Sequence, residues 1–241
     1  MSIRRAVVFA GYSYDGHIFE DVFSYLEELR KYSGYIVAVY DNKKLDPDDK
    51  ERLLSKYADA CIESNHGEYD FGSYKRGFFL LEDLKILNSF DKLIFCNDSV
   101  IFQGRSLEPF FKREEKKDFY GFTSYKKGIS ADTLKWGFIP HVQSYFLSVS
   151  KEIFLEPWFQ NFIKSIKQES SKDEVIAKYE VGISKLIENH GYELSSFYPM
   201  LETEPCRTFL ARFSGFHKEL EEIYFLEKRQ YAIAYERGIR L

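Results

Sequence analysis

Four short apolar runs constrain what this 241-residue chain can fold into. AVVFAGY (6–12), YIVAVYDN (35–42), DACIESN (59–65) and DKLIFCND (91–98) are apolar at consecutive positions rather than at alternate ones. A strand of that kind must be covered on both faces, the condition met by a parallel sheet between two layers of helices. Helical patterns separate the runs. In IFEDVFSYLEELRKY (18–32), Ile18, Val22, Tyr25, Leu26 and Leu29 fall on one face; LDPDDKERLLSKYA (45–58) and SYKRGFFLLEDLKILNSF (73–90) come next along the chain. Strand and helix in alternation indicate an α/β domain with a mostly parallel central sheet and helices on both faces.

The second half is less regular. DFYGFTSY (118–125), HVQSYFLSVS (141–150) and YELSSFYPM (192–200) read as strands. EVIAKYEVGISKLIENHG (174–191) reads as a helix stopped by Gly191, with Ile176, Tyr179, Ile183, Leu186 and Ile187 as its buried stripe. The charge pattern of 216–237 predicts an amphipathic helix. The expected division is a main domain over 1–215 and a C-terminal helical extension over 216–241, packed on the domain or extending it.

Composition narrows the function. A net charge of −4 argues against a general nucleic-acid-binding face. No apolar run approaches the roughly 20 residues that span a bilayer. Gly11 and Asp15 interrupt the N-terminal apolar stretch too early for a signal peptide. Three cysteines without metal-like spacing suit a reducing compartment, so the expected location is the cytoplasm or the inner face of the plasma membrane. The chain holds 23 Phe and 18 Tyr; such rings suit sugar stacking, though most rings in a globular protein belong to its core.

Three of the four runs end in polar residues. Asp41-Asn42 ends the second, NHGEYDFG (65–72) comes directly after the third and Asn97-Asp98-Ser99 ends the fourth. Each alone is a turn signal. In a parallel sheet, however, all three ends meet at the carboxyl edge, where open α/β sheets bind ligands. In NHGEYDFGSYKRG (65–77) two glycines precede Lys75 and Arg76 at the start of the next helix, and amides at a helix N-terminus with nearby cations suit a phosphate. Glu180 borders the apolar stripe of the 174–191 helix, a placement that suits a general base. His141, Gln143 and Tyr145 alternate along one face of a strand and could bind hydroxyls. GxGxxG, P-loop, GxSxG, HExxH and paired CxxC motifs are missing.

The segments NHGEYDFGSYKRG (65–77), FDKLIFCNDS (90–99), DFYGFT (118–123), HVQSYF (141–146) and YEVGIS (179–184), in this order, resemble the rhamnan synthesis protein F family of bacterial glycosyltransferases. More distantly the layout is similar to the GT-A fold of inverting glycosyltransferases. The resemblance implies transfer of a hexose, rhamnose in particular, from a nucleotide-sugar such as dTDP-rhamnose to a saccharide or lipid-linked saccharide of a cell-surface polysaccharide (capsule or lipopolysaccharide). It implies Glu180 as catalytic base, and Asp41, Asp70, Gly72, Lys75, Asn97, Asp98 and Ser99 as donor-binding residues. It leaves His141, Gln143 and Tyr145 to the acceptor. Asn97-Asp98-Ser99 takes the place of a metal-binding Asp-x-Asp, with Cys96 where the first acid would stand. Asp98 and His217 are then the expected ligands of Mg²⁺ or Mn²⁺; without metal, Lys75, Arg76, Arg207 or Arg212 would neutralise the diphosphate. The missing acid also motivates an alternative, a nucleotide-sugar- or glycan-binding module without catalysis. A phosphosugar transferase is a third reading. The composition of the C-terminal stretch permits homodimerisation, peripheral membrane contact or docking on a larger synthase, besides simple packing on the domain.

Overall fold

The computed structural model describes residues 3–102, 106–201 and 226–228. Its centre is an eight-stranded sheet. Strands β1 (Arg5–Gly11), β2 (Tyr35–Tyr40), β3 (Ala60–Glu63) and β4 (Lys92–Asn97) are the four apolar runs, parallel in the order β3-β2-β1-β4. Every residue of β1 and β4 is buried, as unbroken apolar runs require. Helices α1 (Glu20–Arg30), α2 (Pro47–Lys56) and α3 (Tyr69–Asp83) connect them. Asp46 caps α2 by accepting from the amides of Asp48 and Asp49, with Pro47 in the first turn, so LDPDD is a helix start.

Beyond β4 the sheet turns mixed. β8 (Phe146–Ser150) lies antiparallel between β4 and β6 (Phe119–Ile129); β7 (Trp136–Val142) is antiparallel to β6, and β9 (Ser195–Leu201) is parallel to it. Helices α4 (Glu108–Glu114), α5 (Lys151–Phe154) and α6 (Pro157–Ser165) pack around this half. Two short strands were not legible in the sequence: β5 (Val100–Phe102) pairs with β10 (Leu226–Lys228). β10 falls inside the stretch expected to be a helix, so that expectation is corrected at these three residues: backbone pairing to β5 replaces helical bonding. The remainder of 216–241, with His217, lies outside the described residues, as do Arg207 and Arg212.

The stretch 141–150 is not one strand. The chain leaves the ladder after Val142 and rejoins it at Phe146, so the alternation of His141, Gln143 and Tyr145 on one face does not hold. The helix of 174–191 is likewise composite. α7 (Lys172–Val175) passes into a π-turn (Ile176–Glu180) and then α8 (Val181–Asn189). A π-turn is wider than an α-turn and shifts the helical phase of the residues after it. Val175, Tyr179, Ile183 and Ile187 are buried, while Ile176 and Leu186 are only partly so.

Two apolar cores flank the sheet. On the α1 and α4 side, Phe110 packs against Phe111, Tyr120, Phe122, Phe146 and Phe197. Each such ring contributes about 1.5–3 kcal/mol when fully buried. The aromatic-rich composition is thus largely core. A buried ion pair joins the layers: Glu114 accepts from Arg5 Nη2 at 2.9 Å and Nε at 3.2 Å, and also from the Ser148 hydroxyl.

Candidate active site

The polar strand ends do converge at the carboxyl edge of the parallel strands. Asn97 ends β4 and turns the chain. Its Oδ1 accepts from the amide and the hydroxyl of Ser99, at 3.1 and 2.6 Å, which is a local Asx turn. Its Nδ2 donates to Asp70 Oδ2 at 2.5 Å. The Asp98 carboxylate accepts from the Tyr12 amide at 2.8 Å, tying the exit of β4 to the exit of β1. The motif is a turn and a cluster at once: it sets Asp98 and Asp70 on either side of a buried amide.

Glu180, the last residue of the π-turn, reaches the same edge. Its side chain keeps 14% of its exposure. Oε2 accepts from the Ser144 amide at 3.0 Å and hydroxyl at 2.5 Å, and Oε1 lies 3.5 Å from His141 Nε2. His141 Nδ1 donates to the Ile139 carbonyl at 3.1 Å, which fixes the ring. Tyr74, fully buried, donates from its hydroxyl to the Ser144 carbonyl at 2.9 Å; burial, then the negative charge of Asp70, pushes that phenol far up. The break at 143–145 therefore has a cause: the backbone leaves the sheet to deliver Ser144 to Glu180 and the Tyr145 carbonyl to the Asn97 amide. Ser144 is hidden in the sequence because alternation sets it on the opposite face from His141.

Other expected residues have structural partners. Asp41 accepts from the amides of His66 and Gly67, which folds the loop after β3 onto the end of β2; Gly67 has a positive φ of 64°. Burial first, and the nearby Arg76 guanidinium second, hold the His66 imidazole below its ordinary range. Gly72 leaves room for this loop, since a Cβ there would lie 2.3 Å from Glu68 Cβ and 2.7 Å from His66 Nδ1. Lys75 donates to the Ile166 carbonyl at 2.6 Å, at the end of α6. Arg76 is held by Glu68 Oε2 at 2.7 Å and by the Gly72 carbonyl at 2.9 Å. The Tyr145 hydroxyl bonds Thr123 Oγ1 at 2.9 Å inside the protein. Gln143 is 5% exposed, and its Oε1 has no hydrogen-bond partner among the described residues.

For a metal, the cluster offers Asp98 with Asp70 nearby. Cys96, where a further acid would stand, is fully buried, and burial pushes its thiol far up, so it is no ligand. Two carboxylates suit a cation that keeps waters and takes phosphate oxygens, as Mg²⁺ does. His17, Asp46 and Asp49 form a separate exposed group of metal-type side chains, engaged in the cap of α2 and in the Ile18 amide. No helix among the described residues is long and apolar enough to cross a membrane.

The fold is shared with 4-diphosphocytidyl-2C-methyl-D-erythritol synthase at 10% identity, over 87% of this chain and 97% of that one, with a TM-score of 0.50. Core-mannan synthase A of Aspergillus fumigatus superposes with a TM-score of 0.45 at 12% identity, over 80% of this chain and 72% of that one. The fold class is thus the GT-A-like α/β class expected from the sequence. Protein y4gN of Sinorhizobium fredii is 29% identical over 183 residues, 75% of this chain and 45% of that protein. Virulence protein VirA of Vibrio anguillarum is 25% identical over 202 residues, 82% of this chain and 60% of that protein. The chain thus spans about half the length of these curated relatives. The model of rhamnan synthesis protein F matches residues 37–228, from within β2 through β10, which takes in Asp41, Asp70, Asn97, Asp98, Ser144 and Glu180, and the chain belongs to that family.

Proposed function

We propose that the chain is a glycosyltransferase that moves a sugar, rhamnose, from a nucleotide-sugar to a growing cell-surface polysaccharide with inversion at the anomeric carbon. One observation carries this reading: a carboxylate oriented by two donors from Ser144 stands at the sheet edge where Asp70, Asn97 and Asp98 also meet. Glu180 takes the proton of the acceptor hydroxyl. The acceptor oxygen bonds to the anomeric carbon while the bond to the diphosphate breaks, and the diphosphate leaves with the electron pair. His141, beside Oε1, receives or shares that proton. Turned toward the crevice, Gln143, whose buried Oε1 has no hydrogen-bond partner among the described residues, can accept from a substrate hydroxyl. Lys75 and Arg76 are engaged elsewhere, which weakens their case as donor ligands. When bound, Mg²⁺ or Mn²⁺ on Asp98 and Asp70 supplies the positive charge the leaving diphosphate needs.

The first test is thermal unfolding against a panel of nucleotide-sugars, dTDP-rhamnose among them, with Mn²⁺ and with chelator. A donor at a hundredfold excess over its dissociation constant adds about 2.7 kcal/mol. Product analysis with the stabilising donor then decides between transfer and binding. The buried Cys96 favours one second reading, a binding module without turnover. It predicts stabilisation by a donor but no sugar transferred to any acceptor.

A further inference from the structure

Strand β6 continues to Ile129, about 25 Å past Gly121, where its pairing with β8 ends. With β7 it forms a hairpin rising from the crevice edge of the sheet, because β6 runs parallel to β4 through their shared antiparallel neighbour β8. On one face Gly128 lies against Val181 of α8. Cross-strand partners share a face, so the other carries Phe138 beside Lys127 and Trp136 beside Ile129. Trp136 is 61% exposed, Phe138 76% and Leu134, near the turn, 42%. Lys127 and Lys135 are exposed here, against one exposed acid, Asp132.

Single exposed apolar residues need no explanation, but three on one projecting hairpin do. Trp beside Lys is the chemistry of the membrane interface, where rings sit at headgroup depth and ammonium groups meet anionic phosphates. The local charge is positive in a chain whose net charge is −4, so this hairpin is electrostatically complementary to an anionic surface. We propose that Trp136, Phe138 and Leu134, flanked by Lys127 and Lys135, dock the protein reversibly on an anionic lipid surface beside its crevice. The inference goes beyond glycosyl transfer and is read without turnover.

The chain has two tryptophans, and the half-buried Trp158 stacks on His190 at 3.9 Å, so with Trp158 replaced Trp136 is a built-in probe. The experiment is sedimentation of the full chain with vesicles of phosphatidylcholine alone and of phosphatidylcholine with phosphatidylglycerol. Emission of the Trp158→Phe variant is recorded in parallel. The expected result is binding that needs phosphatidylglycerol, a blue shift of Trp136, and loss of about tenfold or more in partitioning for Trp136→Ala/Phe138→Ala. Replacing Lys127 and Lys135 by Gln should weaken binding about fivefold for each lysine and leave the variant folded. Three outcomes overturn the proposal: no partitioning, partitioning that ignores all four substitutions, or a dimer or oligosaccharide complex that depends on Trp136 and Phe138 while vesicles are not bound.

Discussion

Replacing Glu180 with Gln changes one atom type at the proposed base, and the structure sets what each measurement should read. Glu180 Oε2 accepts two hydrogen bonds from Ser144, and an amide oxygen in its place can accept both. Bonds to a charged acceptor contribute about 1.5–3 kcal/mol and neutral ones about 0.5–1.5 kcal/mol, so losing the charge costs roughly 2 kcal/mol over the pair. In a chain of this size that lowers the unfolding midpoint by about 4–8 °C, and the variant stays folded at 25 °C. Transfer should fall by about a hundred- to ten-thousandfold, because the amide cannot take a proton. Donor-induced stabilisation should persist, since the proposed donor contacts, Asp70, Asn97 and Asp98, are unchanged. The assay is sugar transfer from labelled donor at substrate saturation, alongside thermal unfolding with and without donor. Ser144→Ala is the control: it keeps the amide donor, loses one bond worth about 1.5–3 kcal/mol, and should slow transfer far less than the Glu180 change. Turnover of Glu180→Gln within a few-fold of the parent would refute the base assignment. An equal loss in both variants would reduce Glu180 to a structural anchor of the 143–145 turn.

The same geometry sets three further outcomes. Glu114→Ala leaves the guanidinium of Arg5, itself 6% exposed, only the long contact to Glu115 Oε1 at 3.5 Å, and should cost about 3 kcal/mol in denaturant unfolding without changing donor affinity. Gln143→Met removes a buried oxygen that has no partner among the described residues; it should raise the unfolding midpoint by about 2–4 °C while raising KM for the acceptor, and a lower midpoint would show that Oε1 is already satisfied. His66 accepts the Glu68 amide at Nδ1 and pairs with Ser73 through Nε2, so protonation breaks the Glu68 bond. Its folded pKa is lowered by burial and by Arg76, so the unfolded chain binds the proton more readily. The stability it gives is whole above the unfolded value of 6.5 and is lost as pH falls from there through the lowered folded pKa. Unfolding midpoints measured across that window should decline in the parent and decline less in His66→Asn.

The elements legible in the sequence are those whose pattern is repetitive. β1, β2, β3 and β4 are visible because full burial leaves only apolar residues along them, and parallel pairing goes with that burial. The crevice is legible for the same reason, since four parallel strands must end on one edge. The features hidden in the sequence depart from regular periodicity. The π-turn adds a residue where a uniform wheel assumes none, and the break at 143–145 interrupts an alternation that otherwise fits a strand. Both irregularities meet at one bond pair, Ser144 to Glu180. A regular α-turn through 176–180 and an unbroken strand through 141–150 would satisfy local preference better and would leave that pair unformed. Breaks of local rules are common at functional sites, so two of them converging on one carboxylate support the role proposed for Glu180 independently of any resemblance. The same reasoning separates Glu180 from Lys75. The lysine is as suggestive in sequence, yet it ties α3 to the carbonyl that ends α6, a bond that serves the fold.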